Sequence, residues 1–229
     1  MVATDLIAAN LEAVRGRIAR AAERAGRDPA SIRLVAISKT YGPEAVIAAW
    51  HAGQRDFGEN RVQEAEEKIP AVAAAGARPV WHLVGHLQTN KVRPALRLFD
   101  ILHSIDSLHL AEAIQRRSIE PLPVLIEVNV GGEASKAGFA PDEVDDALAA
   151  LRQLSHLDVR GLMTVAPPAA DAEQVRPLFR ELAALARRHA LPELSMGMSG
   201  DFEVAIEEGA TLVRIGTAIF GPRQTDQTR

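Results

Sequence analysis

Cysteine is absent from this sequence, and with it disulfides, thiolate metal sites and thiol nucleophiles. That absence is compatible with a reducing compartment. Aromatic residues are scarce, at 4%, and neither charge sign dominates: 26 Lys and Arg against 30 Asp and Glu leave a formal charge of −4. A nucleic-acid surface needs a concentrated basic stripe and stacking rings. The pairs Arg116-Arg117 and Arg187-Arg188 lie instead in mixed-charge helical segments and read as solvated faces, so nucleic acid is not an expected partner. No stretch is long and apolar enough to span a membrane. The start, Met1-Val2-Ala3-Thr4-Asp5-Leu6, lacks the basic residues and apolar stretch of a signal peptide. A cytoplasmic protein away from membranes is the expectation.

What the chain does have is alternation. Its 229 residues can bury one substantial core, as a single α/β barrel or as two small domains. A leading helical pattern over 5–25, with Leu6, Leu11, Val14 and Ile18 on one stripe, ends at Gly26. Strands are then predicted at Ile32–Ser38, Arg55–Phe57, Val80–Val84, Asp100–His103, Leu122–Asn129, Asp158–Met163, Glu193–Met196 and Leu212–Ile215, the second short and the seventh weak. Helical stretches separate them. Eight strands and seven intervening helices favour a (β/α)8 TIM barrel over an open doubly wound sheet. No low-complexity linker divides the chain, so one domain over 1–229 is expected, with 222–229 as a flexible tail.

Lys39 is the first residue that asks for chemistry. It ends the apolar run Ile32-Arg33-Leu34-Val35-Ala36-Ile37-Ser38 and precedes Thr40-Tyr41-Gly42-Pro43, so it sits where a buried strand leaves the core. Burial favours a neutral amine, and a neutral amine at a cleft can form a Schiff base with an aldehyde. On this segment alone, a strand-end lysine snorkelling its head into water is the more economical reading.

In a barrel, chemistry collects at the C-terminal ends of the strands, and phosphate is often held after strands seven and eight. After the seventh strand comes Gly197-Met198-Ser199-Gly200, whose backbone amides and Ser199 hydroxyl can approach an anion, followed by a helix N-terminus. The eighth strand ends in Arg214-Ile215-Gly216-Thr217, where Gly216 and Thr217 offer more donors. A short glycine loop alone is more often a turn. Arg214, a guanidinium at the mouth of an apolar strand, needs a partner: a carboxylate such as Asp201 or Glu203, or a ligand acceptor such as a pyridine nitrogen. Barrel closure places strand eight beside strand one. A reactive amine, a phosphate cradle and a ring-nitrogen donor together make a site for pyridoxal 5'-phosphate.

The stretches Leu34-Val35-Ala36-Ile37-Ser38-Lys39, Phe57-Gly58-Glu59-Asn60-Arg61-Val62-Gln63-Glu64, Trp81-His82-Leu83-Val84-Gly85-His86-Leu87-Gln88-Thr89-Asn90-Lys91, Ser195-Met196-Gly197-Met198-Ser199-Gly200-Asp201 and Arg214-Ile215-Gly216-Thr217 resemble the pyridoxal-phosphate homeostasis protein family, over almost the whole chain. The family is similar to the N-terminal barrel of alanine racemase. The resemblance implies the cofactor's aldehyde on Lys39 as an internal aldimine, phosphate contacts from Ser199, Gly200, Gly216 and Thr217, and Arg214 at the pyridine nitrogen. Asn60 is a further candidate cofactor contact.

The racemase adds a β-rich domain that supplies a tyrosine base, and no residues remain here to build it. The single tyrosine, Tyr41, is expected to pack at the cleft rim with its hydroxyl satisfied. Where the racemase barrel offers a histidine beside the ring, this chain reads Gly161-Leu162-Met163-Thr164-Val165. An arginine, with a pKa above about 12, hydrogen-bonds the ring nitrogen without protonating it and leaves the ring a poor electron sink. The implied function is to hold, buffer and deliver pyridoxal phosphate, without established catalysis and with no catalytic residue assigned. The implied partners are the cofactor and pyridoxal-phosphate-dependent apo-enzymes, and a monomer is favoured. The alternatives are an amino-acid racemase or lyase, and a barrel for another phosphorylated ligand.

Two further features carry little. His82 and His86 are four apart but flank Gly85 in a strand-like stretch, so no metal site is expected. Lys136, in the loop Asn129–Gly138, could hold the aldehyde transiently during hand-off; a solvated loop lysine is the simpler reading.

Overall fold

The predicted strands pair side by side, all parallel, and close on themselves. In the computed structural model, which describes residues 4–133 and 137–222, the barrel runs in sequence order through β1 (Arg33–Ile37), β2 (Asp56–Glu59), β3 (Val80–Leu83), β4 (Ile101–Ile105), β5 (Leu122–Glu127), β6 (Leu157–Met163), β7 (Glu193–Ser195) and β8 (Leu212–Ile215). The fold expected from the sequence is therefore the fold observed. Lys136 and residues 223–229 lie outside the described residues, and so do the expectations attached to them. The second strand extends to Glu59 rather than stopping at Phe57, because it pairs through Gly58 and Glu59 with His82 and Leu83. The seventh is three residues long and registers Ser195 on Leu212 of β8, flanked by bonds from the Thr211 amide to the Leu194 carbonyl at 2.9 Å and from the Met196 amide to the Leu212 carbonyl at 3.2 Å.

Each strand is followed by a helix. These are α2 (Pro43–His51), α3 (Val62–Ala74), α4 (Val92–Leu98), α5 (Leu108–Gln115), α6 (Val144–Leu151), α7 (Arg176–Arg188), α8 (Phe202–Glu207) and the four-residue α9 (Thr217–Phe220), which sequence reasoning did not anticipate. The leading helix α1 (Thr4–Arg24) buries Ile7, Leu11, Val14, Ile18, Ala21 and Ala22. Leu6, expected on that stripe, is 53% exposed. The spacing explains it: Ile7 stands four before Leu11, whereas Leu6 is rotated off the face.

Helix α1 packs on α2, α8 and α9. Its Arg17 makes a two-pronged bond to Glu203 at 3.2 and 3.1 Å, and Arg24 reaches Glu207 at 2.8 Å. Asn10 Nδ2 donates to the Ile219 carbonyl at 2.8 Å. The N-terminal helix thus braces the two helices that follow β7 and β8.

Beside the end of β1 lies a buried ion pair. Lys68 Nζ, from α3, donates to Glu59 Oε1 at 2.6 Å and to the Ser38 carbonyl at 2.8 Å. The Ser38 hydroxyl donates to the same Glu59 oxygen at 2.7 Å. Burial pushes the Glu59 carboxyl up from its ordinary range, and Lys68 and Ser38 pull it back. Removing one partner of such a pair strands a charge away from water and costs several kcal/mol. Lys68→Met is expected to lower stability by about 3 kcal/mol in urea denaturation, and adding Glu59→Gln to recover part of that loss; equal stability of Lys68→Met and wild type would remove the ion pair from the structure's supports.

Candidate functional site

A cavity of about 310 Å³ opens at the C-terminal end of the barrel, lined by Ile37, Lys39, Asn60, Val84, Val165, Met198, Ser199, Gly200, Arg214, Gly216 and Thr217. All seven residues singled out from the sequence are among them. The closure of the barrel brings this about: β8 pairs with β1 through Val35 beside Arg214 and Ala36 beside Ile215, so the residues that follow both strands emerge together. Asn60 follows β2, the other neighbour of β1.

The loop after β7 is a tight turn shaped by a glycine. Gly197 has φ +92°, and a Cβ there would stand 2.6 Å from the Ala205 Cβ and 2.8 Å from the Phe202 Cα. No other residue fits so close to α8 in that backbone conformation. Asp201 Oδ1 accepts from the Met198 amide at 2.5 Å and fixes the turn. Among the described residues, the amides of Ser199 and Gly200 have no hydrogen-bond partner. The Thr217 amide belongs to the first turn of α9, where helices leave donors unspent. Ser199 Oγ accepts from the Ala218 amide at 3.4 Å and so ties the two loops together. Clustered backbone donors without acceptors suit an anion such as phosphate.

Arg214 is held from behind. Its Nη1 donates to Ser195 Oγ at 2.6 Å and its Nη2 to the Thr164 carbonyl at 2.7 Å, with only 4% of the residue exposed. The carboxylate partners considered from the sequence do not fill that role: Glu203 bonds Arg17 and Asp201 bonds the Met198 amide. Burial pushes the guanidinium down to about 10, against the pull of Glu127 and Asp201. That is below an ordinary arginine, yet the group stays cationic at neutral pH. Two of its five N–H groups are used on Ser195 and Thr164, which leaves donors for an acceptor in the cavity it lines.

Lys39 is half-buried and followed by Thr40 in the left-handed region, at φ +69°. A β-branched residue rarely adopts that conformation, and local strain of this kind collects at functional sites. Sequence reasoning missed the walls: Ile37, Val84, Val165 and Met198 give the cavity apolar sides. It also missed Thr164 and Ser195 as the anchors of Arg214. Apolar residues at strand ends look like ordinary core, so the available signal was the exposure of Val165 and Met198, 36% and 37%, which only the fold reveals.

The two histidines four apart diverge, His82 into the barrel and His86 outward to Asp106 at 2.6 Å. Tyr41 packs with its hydroxyl satisfied, as expected, although it is not among the residues that line the cavity. Its ring lies 5.2 Å from that of Phe220, and its hydroxyl donates to the Gly221 carbonyl at 2.7 Å.

The model of the alanine racemase N-terminal domain matches residues 9–224. A curated pyridoxal phosphate homeostasis protein of Aquifex aeolicus is 45% identical over 223 residues, covering 93% of this chain and 97% of that protein. The chain belongs to the pyridoxal phosphate homeostasis protein family. Among solved structures of similar fold is that of PipY from Synechococcus elongatus with pyridoxal phosphate bound, 36% identical, with a TM-score of 0.81 over 94% of this chain and all of that one. The alanine racemase of Corynebacterium glutamicum shares the fold at 21% identity and a TM-score of 0.73, over all of this chain and 64% of the enzyme. Membership of the homeostasis protein family agrees with a cavity that gathers a lysine, an arginine and a donor-rich double loop.

The latch at Tyr41 yields a prediction. Tyr41→Phe keeps the ring contact with Phe220 and removes the donor that the Gly221 and Pro222 carbonyls share, an interaction worth about 1 kcal/mol. A loss of that size in urea denaturation is expected; a variant as stable as wild type would show the hydroxyl to be idle.

Proposed function

We propose that this protein binds pyridoxal 5'-phosphate in the barrel-mouth cavity and serves to hold, buffer and deliver it. The single observation that carries the reading is the convergence of Lys39, Asn60, Ser199, Gly200, Arg214, Gly216 and Thr217 on one cavity of about 310 Å³. The residues suit the cofactor's parts. The donors of the double loop take the phosphate, the apolar side chains of Val84, Val165 and Met198 flank the ring, Arg214 donates to the ring nitrogen, and Asn60 adds a polar contact at the side. Bound there, pyridoxal phosphate supplies an aldehyde that an amine captures reversibly. Lys39 is the amine, and a reversible tether is what a carrier needs to release its cargo.

The reading of a carrier rather than an enzyme draws on the same residues. Arg214 is cationic at neutral pH and lends a hydrogen bond without surrendering a proton, which weakens carbanion chemistry at the ring. Tyr41, the one tyrosine, directs its hydroxyl proton to the Gly221 carbonyl instead of toward a substrate. The names of the curated relatives point the same way. Pyridoxal-phosphate-dependent apo-enzymes are the recipients, the protein works as a monomer, and it does so in the cytoplasm. No helix among the described residues is long and apolar enough to cross a membrane.

Borohydride treatment of the loaded protein, followed by peptide mass analysis, is expected to leave a pyridoxyl group on Lys39 and none in Lys39→Ala. Absence of that adduct in the wild type removes the tether. Incubation with D- and L-amino acids in heavy water is expected to give no catalytic exchange of the α-proton; exchange over many turnovers would establish an enzyme.

A further inference from the structure

Behind Arg214 the barrel interior holds a continuous line of polar side chains that binding of a cofactor does not by itself require. Arg214 Nη1 lies 2.6 Å from Ser195 Oγ, Ser195 Oγ 2.9 Å from His103 Nδ1, His103 Nε2 2.8 Å from His82 Nδ1, and His82 Nε2 3.1 Å from Asp56 Oδ1. The members come from β8, β7, β4, β3 and β2. The contact between His103 and Ser195 therefore crosses the barrel instead of following its wall, since β5 and β6 lie between their strands. Ser195, His103 and His82 are fully buried, whereas the Asp56 side chain is 19% exposed at the opposite end, 3.9 Å from Arg33.

Apolar packing could fill this space, and buried polar groups are tolerated only when each finds a partner. The line satisfies that condition in one direction. A guanidinium can only donate, so Ser195 Oγ accepts from Arg214. Among the described residues the Ser195 hydroxyl has only one other neighbour, His103 Nδ1, which therefore accepts its proton. His103 then carries its own proton on Nε2 and donates to His82 Nδ1. His82 in turn donates from Nε2 to the Asp56 carboxylate. The opposite direction fails: it leaves the serine proton without an acceptor and demands a second proton on His82 to face Asp56. Burial also holds His103 well below the ordinary histidine range, as a neutral ring should be.

We propose that Ser195, His103, His82 and Asp56 form a one-directional hydrogen-bond relay that positions the Arg214 guanidinium toward its ligand and ties that end of the site to a carboxylate at the far end of the barrel. The four are positioning residues, because none of them lines the cavity. The relay stands on the protein alone, while the identity of the ligand at Arg214 rests on the function proposed above.

Long-range proton–nitrogen correlation spectra of ¹⁵N-histidine-labelled protein without cofactor, at neutral pH, test the relay. The sequence has seven histidines, so His82 and His103 are assigned by His82→Gln and His103→Gln. Both rings are expected as neutral tautomers with the proton on Nε2; a proton on His103 Nδ1, or a charged ring at either position, overturns the relay. Asp56→Ala, at the partly exposed end, is expected to shift the ring nitrogens of His82 and also of His103. Asp56→Asn keeps an acceptor oxygen and should preserve both tautomers. Shifts confined to His82 in Asp56→Ala would show contacts without coupling and overturn the proposal. With the cofactor present, Ser195→Ala is expected to bind pyridoxal phosphate about tenfold more weakly than wild type, the scale of one hydrogen bond to a charged group. Unchanged affinity in Ser195→Ala would deny the relay its positioning role. Failure of the wild type to bind at all would instead count against the proposed function and leave the tautomer result standing.

Discussion

Closure of the barrel between β8 and β1 is the constraint on which the site depends. The two strands lie at opposite ends of the described chain, and their parallel pairing sets Arg214 level with Val35 and lets Lys39 and Gly216-Thr217 leave the sheet side by side. A site built on adjacent strand ends inherits the stiffness of the sheet. Only the turn after β7 departs from it, and there a glycine in the left-handed region and the Asp201 cap restrict the loop.

Among the described residues two cations, Lys68 and Arg214, are buried, and they are handled differently. Lys68 is paired at 2.6 Å with Glu59, so its charge is neutralised where α3 meets the ends of β1 and β2. Arg214 is bonded by no carboxylate among the described residues. It bonds a hydroxyl and a carbonyl, with Glu127 and Asp201 acting only through their fields. A charge left partly uncompensated in this way retains a pull on whatever occupies the cavity, which a paired one would not. Lys68 ties α3 to the sheet, whereas Arg214 lines the cavity with donors to spare.

Much of this was legible in the sequence. Strand-length apolar runs alternating with helical periods indicate a parallel barrel, and the barrel's geometry then says where Lys39, Ser199 and Arg214 must gather. What was not legible is what lies across the barrel interior. His82, His103 and Ser195 are separated by 21 and 92 positions, and no periodicity relates such residues until the cylinder is closed. His82 drew attention only through its spacing to His86, from which it turns away. The slip at Leu6 has a simpler cause. With Leu6 and Ile7 adjacent, only the exact phase of the helix decides which of them is buried.

The position of α1 bears on how the molecule is made. In a barrel of eight strands the last helix ordinarily covers the seam between the last strand and the first, but here α9 has four residues and α1 packs against it from the other end of the chain. Asn10 and Ile219, 209 positions apart, are bonded across that seam. The bond joins segments that lie far apart along the sequence. Contacts of such long sequence separation form late. The pocket beside that seam therefore depends on some of the most distant contacts in the fold, and its walls come together only when the barrel closes.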